Sequence, residues 1–116
     1  MSSYTSISVD KLSRLIGTPT TPVLIDVRTD EDFAADPRII PGALRRPYVT
    51  VADWAKSFTG RSVIVVCQKG LKLSEGVAAW LRHAGVPAET LDGGFEAWKA
   101  AKLPAVPVAK LPPPDA

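Results

Sequence analysis

Sulfur and imidazole are scarce in this chain: 116 residues carry one cysteine, Cys67, and one histidine, His83. A lone cysteine forms no internal disulfide, so packing must supply the stability, which fits a reducing compartment. One cysteine and one histidine do not furnish a closed metal site, and no other feature asks for a cofactor. No apolar run approaches the length of a membrane span. Met1-Ser2-Ser3-Tyr4-Thr5 also lacks the apolar centre of a signal peptide. The expectation is a soluble cytoplasmic protein, off the membrane. Charge of one sign is lacking too: the net value is +2 and the basic residues are scattered, which argues against a nucleic-acid partner. There is no internal repeat. What is present, 46% hydrophobic and 22% charged residues, is the composition of one globular domain with its own core.

The patterning alternates between strands and helices. Ser6-Ile7-Ser8 reads as a short edge strand, and Asp10 as the cap of a helix to about Ile16. Val23–Val27 and Arg61–Val66 are β-branched apolar runs of the kind that fill buried parallel strands. Thr29–Phe33 is acidic enough to open a short helix, which Asp36-Pro37 closes. Thr50 heads a helix bearing Val51, Trp54, Ala55 and Phe58, stopped at Gly60. From Ser74 to about Ala84, an apolar face of Val77, Trp80, Leu81 and Ala84 predicts another helix. Ala88–Leu91 reads as a last strand, and Asp92-Gly93-Gly94 turns into a helix with Phe95 and Trp98. All three tryptophans are assigned to the core. The expected fold is α/β, a mainly parallel central sheet with helices on both faces. The domain spans 1–104; residues 105–116 read as an extended proline-rich tail, since Pro104 to Pro114 holds five prolines.

Cys67 ends the central strand where Val66 gives way to Gln68, Lys69, Gly70, Leu71, Lys72 and Leu73. A thiol used only as a small hydrophobe belongs among apolar neighbours. This one opens a polar, glycine-containing turn into a helix, at the sheet edge where open α/β folds bind ligands. The reactive-thiol reading therefore outweighs the packing one. Turn N–H groups and the cations Lys69 and Lys72 would favour a thiolate and hold an anion beside it. The bland reading of both lysines is solvated surface charge. Asp26 and Arg28 end the neighbouring strand; an ion pair or cap fixing that turn is the simpler role, and orienting the loop or touching a substrate the functional one. His83, near a helix end, reads as a surface or capping residue rather than a base.

Taken in order, four segments resemble the rhodanese-like domain, over about Ile7 to Pro104. Leu24-Ile25-Asp26-Val27-Arg28 is similar to the family's D-V-R strand end, and Ile40-Pro41-Gly42-Ala43 to its H-I-P-G-A segment. Cys67 starts the loop, and Leu91-Asp92-Gly93-Gly94-Phe95-Glu96-Ala97-Trp98 is similar to the closing L-x-G-G-x-x-x-W. The departures are Ile39 where the family carries histidine, Gln68 for the first loop arginine, Lys72 for the second, and Leu73 ahead of Ser74. Either the loop is one residue longer than the common one or the helix starts early.

The resemblance implies a sulfurtransferase that moves sulfane sulfur from a donor such as thiosulfate through a Cys67 persulfide to a thiol or cyanide acceptor. Gln68 to Leu73 would be the substrate loop, Asp26 and Arg28 its support. It implies no metal or organic cofactor; the partners it implies are a small anionic donor and a thiol or cyanide acceptor, with a protein as a further candidate acceptor. The alternative is a non-catalytic module that binds a protein through this fold. A phosphatase is disfavoured, because the related phosphatases carry a phosphate-holding arginine at the position of Leu73. A thiol-based oxyanion reductase or sensor lacks the resolving thiol such chemistry uses.

Overall fold

The computed structural model describes residues 5–110. Its elements are β1 (Ser6–Ile7), α1 (Val9–Leu15), β2 (Val23–Asp26), α2 (Asp30–Ala35), β3 (Arg38–Ile39), β4 (Leu44–Arg45), α3 (Val51–Trp54), β5 (Val63–Val66), α4 (Lys72–His83), β6 (Ala88–Leu91), α5 (Gly94–Ala100) and β7 (Val106–Pro107). Short 3₁₀ turns at Tyr48–Thr50 and Ala55–Phe58 flank α3, so the expected helix from Thr50 is broken into three pieces. Side-chain caps fix two helix starts: Ser8 accepts from the Lys11 N–H and Thr29 from the Asp32 N–H.

Five strands pair in the order β1-β6-β5-β2-β4, every neighbour parallel. Strand alternation sends the two sides of β5 into different cores. Val63, Val65 and Cys67 join Ile25, Val27, Trp54, Phe58, Val77 and Leu81 under α3 and α4. Ile64 and Val66 join Leu12, Leu24, Leu91, Phe95 and Trp98 under α1 and α5. Helices thus cover both faces, and β5 at the centre is buried along its whole length.

Two readings of the sequence are corrected. Trp80 is not core: it is 52% exposed, because α4 buries Ser74, Val77, Ala78 and Leu81, and its indole falls beside that stripe against the exposed ring of His83. Trp54 and Trp98 are buried, each donating its indole N–H to a carbonyl, of Pro47 and Pro104 respectively. Residues 105–110 are not a free extended tail. Val106–Pro107 pairs antiparallel with Arg38–Ile39, and Ala105 and Val108 pack on the second core. Residues 111–116, the rest of that tail, lie outside the described residues.

Arg28 is a buried charge, and each of its three guanidinium nitrogens bonds inside the fold. Its Nε bonds Asp26 at 3.0 Å, Nη1 donates to the Asp36 carbonyl at 3.0 Å, and Nη2 to the Arg38 carbonyl. Its guanidinium lies 4.1 Å from the Phe95 ring centroid. Burial raises the Asp26 carboxyl above its ordinary value, against the smaller lowering pull of the Arg28 backbone N–H and guanidinium. Truncating one partner of such a pair strands the other. Arg28→Leu is expected to cost about 3 kcal/mol, read as a lowered urea midpoint.

Asp36 takes two hydrogen bonds from Arg38, and with a third from Lys99 these hold its carboxyl well below the usual carboxylate range. Its stabilising contribution is therefore full above the unfolded value of 3.8 and is lost as pH falls below it. The difference in urea midpoint between wild type and Asp36→Asn should accordingly be larger at about pH 6 than at about pH 3.

Candidate functional site

The thiol loop owes its shape to glycine. At Gly70 φ is +71°, and a Cβ there would stand 2.6 Å from the Leu91 carbonyl oxygen and 2.8 Å from the N atoms of Gly93 and Gly94. Gly94, at φ +63°, is pressed as closely from the other side: a Cβ there would run into the Cys67 and Gln68 carbonyls. Contact this close puts two main-chain hydrogen bonds across the gap. Phe95 N–H donates to the Cys67 carbonyl at 2.8 Å and Glu96 N–H to the Gln68 carbonyl at 3.0 Å. With its carbonyls drawn toward α5, the loop turns an amide to the sulfur: Gly70 N–H donates to Cys67 Sγ at 3.1 Å.

A second group meets the sulfur. Ser74 Oγ, fully buried in the first turn of α4, lies 3.2 Å from Sγ and 3.2 Å from the Leu71 carbonyl. A hydroxyl donates or accepts as it rotates. It takes the S–H of the thiol while donating to Leu71, and can turn to donate to a thiolate. Cys67 itself is buried, 4% exposed.

Each residue assigned from the sequence has a definite place. Gln68 turns away from the sulfur and donates to Glu96 Oε2 at 3.1 Å. Lys69, Leu71 and Lys72 are exposed on the rim, and neither lysine forms an ion pair with another described residue. Leu73 is half-buried against the first core. Asp26 pairs in register with Val66, so its side chain lies on the opposite face of the sheet from that of Cys67. Arg28 is therefore one step removed: it reaches the loop through the Phe95 ring, whose own N–H holds the Cys67 carbonyl. His83 is far along α4, at its last residue, and Gly93 forms the left-handed cap of α5.

The two alternatives for the loop resolve in favour of an early helix: α4 begins at Lys72, with Leu71 as its cap. That start puts Ser74 in the first turn of α4, beside the sulfur. The sequence alone does not mark Ser74, Phe95 and Glu96 as site residues. Their signals are a hydroxyl in the first turn after the loop and the segment following Gly93-Gly94.

Comparisons with known proteins bear on the fold. A family model, Rhodanese-like domain, matches residues 8–101. The solved structure of a rhodanese-like domain protein from Staphylococcus aureus is 33% identical, with a TM-score of 0.70, over 80% of this chain and 89% of that one. A thiosulfate sulfurtransferase from Pseudomonas aeruginosa is 28% identical, with a TM-score of 0.74. It matches 91% of this chain, which spans only 20% of that protein. A rhodanese-related protein from Thermoplasma volcanium, 21% identical with a TM-score of 0.75 over 89% of this chain and 98% of that one, shares the fold.

The close approach of Gly70 and Gly94 generates a prediction. Gly94→Ala forces the loop off α5 and should remove about 2 kcal/mol of stability. It should also change the alkylation rate of Cys67 by iodoacetamide several-fold, whereas Gly76→Ala, with open space around it, should leave that rate unchanged.

Proposed function

The chain belongs to the rhodanese-like domain family, and on that premise we propose that it transfers sulfane sulfur through a persulfide on Cys67. The observation that carries the reading is the sulfur's setting: a single thiol at a strand end, with the Gly70 N–H donating to it and the Ser74 hydroxyl accepting from it. Both groups can donate to an anionic sulfur, which is the attacking form before transfer and the stored form after it.

The Cys67 thiolate attacks the outer sulfur of a donor such as thiosulfate. The new S–S bond forms as the bond to the sulfonate sulfur breaks, sulfite leaves with that electron pair, and Cys67 becomes an anionic persulfide. An acceptor thiolate or cyanide then attacks the outer sulfur and carries it off, restoring the Cys67 thiolate. No electron is gained or lost overall, so no cofactor enters the balance. Lys69 and Lys72, exposed and unpaired among the described residues, attract the dianionic donor. Leu73 argues against the phosphatase alternative: half-buried on the core, it offers no fork of donors to a phosphoryl group.

Intact mass spectrometry after thiosulfate treatment tests the reading. The wild type should gain one sulfur atom, removable by cyanide or dithiothreitol, and Cys67→Ser should gain none. A wild type that keeps a free, alkylatable thiol would reject thiosulfate as donor and move the binding-module reading ahead. Lys72→Ala should raise the KM for thiosulfate more than it lowers the rate of discharge to the acceptor. Ser74→Ala should slow persulfide formation about tenfold, the loss of one hydrogen bond to a charged sulfur.

A further inference from the structure

Large apolar side chains are exposed at five described positions: Leu44, Tyr48, Val49, Leu71 and Trp80. Three of these, Tyr48, Val49 and Trp80, line one open groove of about 300 Å³ between the turn ahead of α3 and the outer side of α4. Leu73 and Val77 also line it, and Lys72 is its one charged residue. Two of its lining residues adjoin the thiol site. Leu73 stands between Lys72 and Ser74, and Val77 shares a core with Cys67. Val49 is 72% exposed and Trp80 52%, and the Trp80 indole N–H, unlike those of Trp54 and Trp98, has no partner among the described residues.

A small thiol has no use for such a surface, because its reacting atom needs only the loop. Exposed tryptophan and tyrosine beside an unpaired cation are the makings of a protein contact: aromatic anchors in the middle and a charge that selects its opposite. We propose that this groove docks a protein sulfur acceptor, through a surface segment that carries acidic and apolar residues beside the acceptor cysteine. The inference rests on the persulfide reading of Cys67. In the transfer, the acceptor thiolate attacks the outer persulfide sulfur, the Cys67 Sγ–S bond breaks, and the electron pair returns to Cys67.

The probe is a synthetic peptide with one cysteine flanked by leucine, phenylalanine and two glutamates, beside a version with lysines for the glutamates and a serine-for-cysteine version of each. Titration calorimetry of the serine peptides against the untreated protein reads docking without chemistry. The acidic peptide should bind about tenfold more tightly than the basic one, and Trp80→Ala and Val49→Ser should each weaken binding of the acidic peptide about tenfold. With the cysteine peptides, the persulfide should pass to the acidic peptide faster than to the basic one, and the two variants should slow that transfer. Their discharge to dithiothreitol should stay at the wild-type rate. Equal binding of the two peptides, or unchanged affinity in both variants, overturns the docking site while leaving the persulfide reading intact. Selective binding without any persulfide overturns the reading of Cys67, and with it the acceptor role, but leaves the groove as a docking surface.

Discussion

Two main-chain hydrogen bonds, from the Phe95 and Glu96 N–H groups to the Cys67 and Gln68 carbonyls, hold the thiol loop against the start of α5. They form only because Gly70 and Gly94 let two backbones meet where any Cβ would collide. Once the carbonyls are committed to α5, the Gly70 amide is left facing the sulfur. The loop thus needs no side chain of its own to present a donor to Cys67. That explains how Gln68 can occupy the first loop position and bond outward to Glu96 without emptying the site.

The sheet divides the work between its faces. Odd-numbered positions of β5 put Cys67 under α4, where Ser74 meets it, and even-numbered ones face α5. Asp26 belongs to the α5 side, so its ion pair with Arg28 is built into the layer that backs the loop rather than into the side where Ser74 meets the sulfur. Arg28 ties β2, the α2–β3 turn and the Phe95 ring into one unit. All three guanidinium nitrogens are bonded inside the fold, whereas Lys69 and Lys72 are exposed beside the loop without an ion-pair partner among the described residues. The strand order places the ends of β2 and β5 side by side at the middle of the sheet, which is why these parts converge.

Much of this was legible in the chain itself. The β-branched runs before Arg28 and Cys67 announce parallel strands, and the polar turn after Cys67 marks the thiol as more than packing. Other features depend on contacts that periodicity does not encode. Trp80 shares a helical pattern with Val77 and Leu81, yet the stripe that the sheet accepts is Ser74, Val77, Ala78 and Leu81, leaving the largest ring outside. The early start of α4 carries no capping signal at Leu71; the loop's attachment to α5 sets it. Proline content made 105–110 look like a tail, but Pro107 sits in a two-stranded ribbon, where a missing N–H is tolerated. The Arg28 contacts with the Asp36 and Arg38 carbonyls join residues that no local pattern links.

The central claim is that the clasped loop presents Cys67 as a carrier of sulfur. It is tested most directly by a crystal structure of thiosulfate-treated protein, with sulfur located by its anomalous signal. The account predicts a second sulfur bonded to Cys67 Sγ, within hydrogen-bonding reach of the loop amides, with the Phe95 and Glu96 bonds to the loop intact. A single sulfur at Cys67, or a second one seated only after the loop has left Gly94, would contradict it.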